Sequence, residues 1–158
     1  MRRRTLVIAT VCVATVGAAF WLGFYRPLKR NQEFNRVVRA ELLTLAQKPR
    51  PEGLTAKQWH NIVGWTIQGY WNTLPWQNQP PLAWRGIPSA EMDRFEAELK
   101  HRLADPVDLA TIDWIWDEFE RLAPDYGPKY SRNHRPTSPE KLREFEEGNT
   151  TWSGLETQ

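Results

Sequence analysis

Cysteine is almost absent from this chain of 158 residues, whose single thiol is Cys12. One thiol excludes a disulfide within the chain and any metal site built from several cysteines. No glycine-rich phosphate loop or nucleophile elbow occurs, and Ser89 and Ser138 stand where helix caps are expected. Little serine remains for a hydrolase triad. We therefore expect no catalytic residue, no bound metal and no cofactor, although these absences leave the question of an enzyme open.

A large excess of charge of one sign is also lacking, since the net charge is +2. Residues 1–33 hold six of the 21 Lys and Arg but only one of the 19 Asp and Glu, which leaves 15 against 18 in residues 34–158. The basic character therefore belongs to the N-terminal region, where it suits lipid headgroups. The remainder has a net charge of −3, which argues against nucleic acid as a partner.

The N-terminal region is a candidate membrane anchor. Arginines at positions 2–4 precede an uncharged stretch from Thr5 to Tyr25, and Arg26 and Lys29 follow it. A helix of this length spans about 30 Å, the thickness of a bilayer's hydrocarbon core. The far end carries the aromatic residues of an interfacial belt: Phe20, Trp21, Phe24 and Tyr25. The sequence thus predicts a single-pass protein, with residues 1–30 as an uncleaved signal-anchor.

A cleaved signal peptide is the alternative interpretation of the same segment. Val16, Gly17 and Ala18 are small enough for a signal peptidase. The apolar run continues through Trp21, beyond the usual apolar core of a signal peptide, which favours the anchor. The short head before the helix favours a soluble domain on the exported side, while basic residues on both flanks give no clear orientation by charge.

The rest of the chain has helical and no strand periodicity. Apolar stripes predict helices over residues 31–47, 55–74, 89–104 and 105–123, and a short one over residues 138–147. We therefore expect an all-α fold in which the transmembrane helix precedes an irregular four- to five-helix bundle. The predicted domains are the anchor at 1–30, the helical soluble domain at 31–147 and a flexible tail at 148–158.

Local signals refine this outline. Thr55 and Gln58 form a capping-box pattern, and Asp105 before a proline is typical of a helix start. Gly64 and Gly69 lie off the apolar stripe and are expected to admit a second backbone. Pro27 predicts a bend or break after the anchor. Two proline-bearing stretches, residues 75–88 and 124–137, are expected to form a loop and an extended connector.

Tryptophan is the unusual feature, with nine residues. Trp59, Trp71 and Trp116 lie on apolar stripes and are expected in the core. The other candidates are expected to form an exposed binding surface, because they leave the stripe or lie in the proline-rich loop: Trp65, Gln68, Trp76 and Trp84.

Charged residues supply two further candidates. Lys129, Arg132 and Arg135 alternate with aromatic residues and could hold a lipid headgroup or another anion. Acidic residues with helical spacing, Asp113, Asp117 and Glu120, would form a solvated face or the acid–base group of an enzyme with a histidine. Glu98 and His101 have the Glu-x-x-His spacing of dimetal bundles, but no second pair exists to complete such a site.

These patterns favour a non-enzymatic interaction module tethered to a membrane, such as an accessory subunit of a larger membrane complex. One alternative is a module that binds envelope glycans or small ligands through exposed aromatic rings. The other is an enzyme that uses the acidic helix face. A protein partner is expected, and the wide apolar face of the 105–123 helix leaves association with a second copy open.

Overall fold

The computed structural model describes residues 2–77 and 86–148, and these residues are helical with no strand among them. The helices are α1 (Arg2–Phe20), α2 (Arg26–Thr44), α3 (Ala56–Gln77), α4 (Ser89–Ala104), α5 (Leu109–Leu122), α6 (Gly127–His134) and α7 (Pro139–Glu147). A π-helical turn, Trp21–Tyr25, joins α1 to α2, and a 3₁₀ turn, Leu45–Gln47, follows α2. Two compact units result, residues 1–33 and 34–158, with their boundary inside α2. The all-α prediction is confirmed.

The first unit exposes an apolar helical surface. Its large side chains are exposed by 39–73% at Ile8, Val11, Val13, Val16, Phe20, Trp21, Leu22 and Phe24. The N-terminal helical segment is long and apolar enough to cross a membrane, a property that signal sequences share. Helical backbone continues past Pro27, so the break expected there does not occur. The turn just before the proline is a π turn, in which the Arg26 N–H donates to the Trp21 carbonyl. A π turn is wider than an α-helical turn.

The second unit is built around α3 and α5, which pack against each other and against α6. Trp116 of α5 is fully buried, and its indole N–H donates to the Thr66 hydroxyl of α3 at 3.2 Å. Gly69 makes room for this ring, because a Cβ at position 69 would lie 2.8 Å from the ring's six-membered edge. Gly69 was predicted to admit a second backbone. That prediction was wrong, because the close neighbour is the Trp116 side chain.

α2 and α4 cover the remaining sides of the core. The first buries Phe34, Val38 and Leu42, with Leu45 of the following 3₁₀ turn, and the second buries Met92, Phe95, Leu99 and Leu103, as their spacing predicts. The apolar face of α5 is also covered within one chain, with Ile112, Ile115 and Phe119 fully buried. The apolar face of α5, which could have contacted a second copy, is therefore covered within the monomer.

Helix starts follow capping rules at three places. Thr55 and Gln58 exchange the two hydrogen bonds of a capping box, at 3.1 and 2.8 Å. Ser138 Oγ accepts from the Lys141 N–H at 3.3 Å, as predicted. The predicted start at Asp105 was wrong: Asp108 caps α5, and its carboxylate accepts from the Thr111 N–H at 2.7 Å. An aspartate that reaches the helix N–H groups outweighed the proline signal upstream.

Three further predictions were wrong. The helix α3 continues through Pro75 to Gln77, since a proline near a helix end removes only one hydrogen bond close to solvent. Residues 127–134 form α6 instead of an extended connector, with Pro128 in the first turn where prolines are tolerated. Trp71 is 42% exposed although Tyr70 and Leu74 beside it are fully buried, and its ring is 5.3 Å from the Arg39 guanidinium.

Replacing Gly69 with alanine tests the contact with Trp116. The new Cβ would overlap the indole, so Gly69→Ala should destabilise the protein by about 1–3 kcal/mol, the usual cost of overpacking. Thermal unfolding of the full-length protein, followed by intrinsic fluorescence, measures this change. The same substitution in a Trp116→Phe background should cost less, because the smaller ring frees space. Equal costs in both backgrounds would show that Gly69 does not serve this contact.

Candidate functional site

The short helix α6 lies directly on α5, and a glycine makes this possible. A Cβ on Gly127 would lie 2.5 Å from both the Glu120 Cα and the Phe119 carbonyl oxygen. The Gly127 N–H donates to the Ala123 carbonyl at 2.6 Å, which ties the start of α6 to the end of α5. This close approach turns one face of α6 toward α3 and the buried Trp116.

Four rings form a column from the core to the surface. The Trp116 and Tyr130 rings are nearly parallel with centroids 6.1 Å apart, and His134 stacks on Tyr130 at 4.2 Å. Trp65 of α3 contacts the same imidazole at 5.5 Å. The Lys141 ammonium of α7 lies 5.9 Å from the Trp65 ring. Aromatic stacking therefore holds α6 against α5 and α3.

Hydrogen bonds fix the orientation of these rings. The Asn72 amide donates to the Gln68 carbonyl at 2.9 Å and to the Tyr130 hydroxyl at 3.1 Å. His134 Nδ1 lies 2.8 Å from the Tyr130 carbonyl oxygen, and a carbonyl requires that this nitrogen carry the proton. Burial raises the pKa of Tyr130 against the opposing effect of the Asn72 hydrogen bond. Tyr130 is therefore a neutral hydroxyl at physiological pH.

An open groove of about 310 Å³ lies beside this column, between α3 and α6. Its lining is mainly apolar ring and methylene surface, with amides and one ammonium at intervals: Asn72, Tyr126, Lys129, Tyr130, Asn133 and His134. We call it the α6 groove. Tyr126 is 39% exposed, so one wall of the groove is an accessible aromatic ring. Such a mixture of rings and a few polar groups is typical of binding sites.

The predicted tryptophan surface is placed only in part. Trp65 is half-buried in the ring column, and its buried indole N–H has no acceptor among the described residues. Gln68 is half-buried one helical turn before Asn72, beside the α6 groove. Trp76 belongs to the last turn of α3, with its side chain outside the described part, and Trp84 lies outside the described residues altogether.

The three predicted cations occupy different surroundings. Lys129 lines the α6 groove, whereas Arg132 and Arg135 line a polar pocket of about 150 Å³ together with Glu140 and Lys141. Arg135 is committed elsewhere, because its guanidinium pairs with Asp117 at 2.8 Å, Asp113 at 3.0 Å and Glu120 at 3.6 Å. Burial opposes the charged form, but these carboxylates outweigh burial and raise the pKa of Arg135.

This arrangement accounts for the acidic face of α5. Asp113 also accepts from the Thr137 hydroxyl, so the carboxylate is held from two sides. Within residues 2–77 and 86–148, no group of three or more histidine, cysteine or acidic side chains is placed to hold a metal ion.

The sequence contains a helical spacing of groove residues that was not used to predict the α6 groove. Tyr126, Tyr130 and His134 are spaced four residues apart, the spacing of one helix face. That signal was missed because proline and glycine in the segment favoured a connector over a helix. The other histidines lie elsewhere: His60 lines a small pocket with Trp59, and His101 is exposed on α4.

No protein-family model, curated protein or solved structure matches this chain. Functional inference therefore rests on the geometry of the described residues alone.

Replacing Arg135 tests its role on the acidic face. Arg135→Gln leaves Asp113, Asp117 and Glu120 without their shared cation, so unfolding should become easier by about 1–2 kcal/mol at neutral pH. Thermal unfolding at low and high salt measures the loss, which should shrink as salt screens the carboxylates. Arg132→Gln is the matched control, since Arg132 is exposed and should change stability little. Equal losses in both variants would contradict this role.

Proposed function

We propose that this protein is a non-enzymatic interaction module held at a membrane by a single N-terminal helix. One observation carries the proposal: the large apolar side chains between Ile8 and Phe24 are exposed by 39–73%. Apolar surface of this extent needs another environment to bury it, and a bilayer provides one. Phe20 stacks on Phe24 at 5.3 Å and Trp21 on Tyr25 at 4.6 Å, which suits the predicted aromatic belt.

The contact surface of the module is proposed on the side of the second unit that carries Gln68. Trp65, Gln68 and Trp76 lie along α3, and Gln68 stands one turn from the α6 groove. Trp84, the fourth residue of the predicted surface, lies outside the described residues. Accessible aromatic rings supply much of the binding energy at protein interfaces, and Tyr126 adds one that is 39% exposed. A partner seated here would make the protein an accessory subunit of a membrane complex, with its domain on the exported side.

A second candidate is a module that binds small ligands or envelope glycans. The α6 groove favours it, because its volume of about 310 Å³ falls at the lower end of ligand-site volumes. Its Tyr126 and Tyr130 rings offer surfaces for a sugar to stack on. Quenching of intrinsic fluorescence by soluble glycan fragments would support this candidate if it saturates and disappears in Tyr126→Ala.

The anchor can be tested by extraction and by mass. The full-length protein should stay in the membrane pellet after alkaline carbonate washing, because only the bilayer buries its apolar helix. Intact-mass measurement should then find the N-terminal segment still attached. A mature chain that begins shortly after Ala18, released by carbonate, would identify a cleaved signal peptide and overturn the anchor.

The interaction function predicts a companion protein. Purification of the tagged full-length protein from its native membrane in mild detergent should yield a partner in fixed proportion, identified by mass spectrometry. Gln68→Glu places a negative charge on the proposed surface and should release that partner. His101→Glu makes the matching change at an exposed position of α4 and should retain it. A partner bound equally to both variants would move the contact surface elsewhere, and a protein purified alone would contradict the function.

A further inference from the structure

The α6 groove has hydrogen-bond donors in excess of what the fold uses. The Tyr130 hydroxyl accepts from Asn72, so its own proton remains free to donate into the groove. Lys129 is exposed and forms no ion pair within the described part of the chain. Asn133 is exposed as well and lines the same groove. A ligand that fits these groups must therefore bring acceptors.

The charge of the groove is locally positive on a unit that is acidic as a whole. None of the residues lining the groove is acidic, and α6 itself carries Lys129 and Arg132 without an Asp or Glu. On the neighbouring α5 face, Asp113 and Asp117 share the single cation of Arg135, which offsets one of their charges. Residues 34–158 nevertheless have 15 cationic against 18 anionic side chains. Lys129 and Arg132 of α6 can therefore attract an anion on a unit whose net negative charge otherwise repels anions.

The cations extend along the helix instead of converging on one point. Lys129, Arg132 and Asn133 are three and four residues apart, so they share the outer face of α6. Asn133 lines both the groove and the polar pocket that contains Arg132. The pocket by itself is poorly suited to a compact anion, because Glu140 lines it and Arg135 is already paired. A ligand with charges spaced along a chain fits this surface better.

We propose that the α6 groove binds an extended acidic peptide segment of a partner protein. An apolar side chain of the segment packs against Tyr126 and Tyr130, its carbonyl oxygens accept from Tyr130 and Asn133, and its carboxylates face Lys129 and Arg132. A neutral glycan would form no ion pair with Lys129 or Arg132, which make up the cationic rim of the groove. A lipid headgroup would use the cations but not the aromatic wall. This inference rests on the proposed interaction function and specifies the chemistry of its partner.

Peptide selection tests the proposal directly. Random dodecapeptides displayed on phage are selected on the full-length protein in nanodiscs of a zwitterionic lipid, and the enriched peptides are labelled for fluorescence polarisation. We expect enrichment of peptides in which Asp or Glu flanks an apolar residue. Charge reversal at the rim in Lys129→Glu should weaken their binding roughly tenfold or more, and added salt should weaken it in the wild type.

Two further variants separate the groove from general charge. Tyr126→Ala removes an exposed ring and should weaken the same peptides several-fold without unfolding the protein. Lys100→Glu reverses an exposed cation on α4 and should leave binding within about twofold, since surface charges far from a site contribute little. Enriched peptides that lack acidic residues, peptides that bind Lys129→Glu as well as the wild type, or no enrichment at all would each overturn the proposal.

The remaining outcomes distinguish the acidic-peptide proposal from the proposed interaction function on which it rests. If the full-length protein in zwitterionic nanodiscs captures separate phosphatidylserine vesicles in a way that depends on Lys129, and selects no peptides, the ligand is a lipid headgroup and the peptide proposal is overturned. A companion in native membranes that binds Lys129→Glu normally would keep the interaction function and overturn the groove as its site. Acidic peptides that bind a protein purified without any companion would keep the groove and contradict the interaction function.

Discussion

The burial of Trp116 is the constraint on which the second unit depends. The indole fills the space that Gly69 leaves on α3, and its N–H is satisfied by Thr66 of the same helix. One side chain therefore fixes both the distance between α3 and α5 and their relative register. Its ring also forms the base of the column on which Tyr130 stacks. The position of α6, and with it the groove, follows from this buried ring.

Charge organises what the core leaves at the surface. Glu118 of α5 is buried, and Arg94 and Arg121 bind it at 2.6 and 2.9 Å, which links α4 to α5. Glu91 pairs with Arg121 in the same network, and the hydrogen bonds from Arg121 and Arg94 lower the pKa of Glu91. Arg135 performs the equivalent task on the opposite face of α5. The helices of the bundle are thus joined by ion pairs around an aromatic core.

The sequence was sufficient to predict most of the helices, but it predicted neither α6 nor the way α6 packs on them. Apolar periodicity identified the buried residues of α2, α4 and α5, because a stripe such as Met92, Phe95 and Leu99 has one interpretation. Capping chemistry identified the start of α3 at Thr55. Trp71 shows where periodicity fails, since it was assigned to the stripe and is 42% exposed while Tyr70 and Leu74 beside it are fully buried.

The α6 groove shows more clearly what could not be predicted from the sequence. Tyr126, Tyr130 and His134 have a helical spacing, but only eight residues form α6, and a segment so short gives little periodic signal. Its helical state depends on Gly127 approaching the α5 backbone, a contact between distant residues that no local pattern encodes. Trp65 was predicted to leave the stripe, but its neighbours His134 and Lys141 could be known only from the fold.

The charges of α6 bear on function because the fold does not use all of them. Arg135 is paired with Asp113 and Asp117, and Lys141 of α7 pairs with Glu144 at 2.7 Å. Lys129 and Arg132 have no such task within the described residues, and both lie on the exposed face of α6. An acidic unit that keeps two cations beside an aromatic groove gains no stability from them. A partner that carries the complementary charge is the physical reason we infer for that placement.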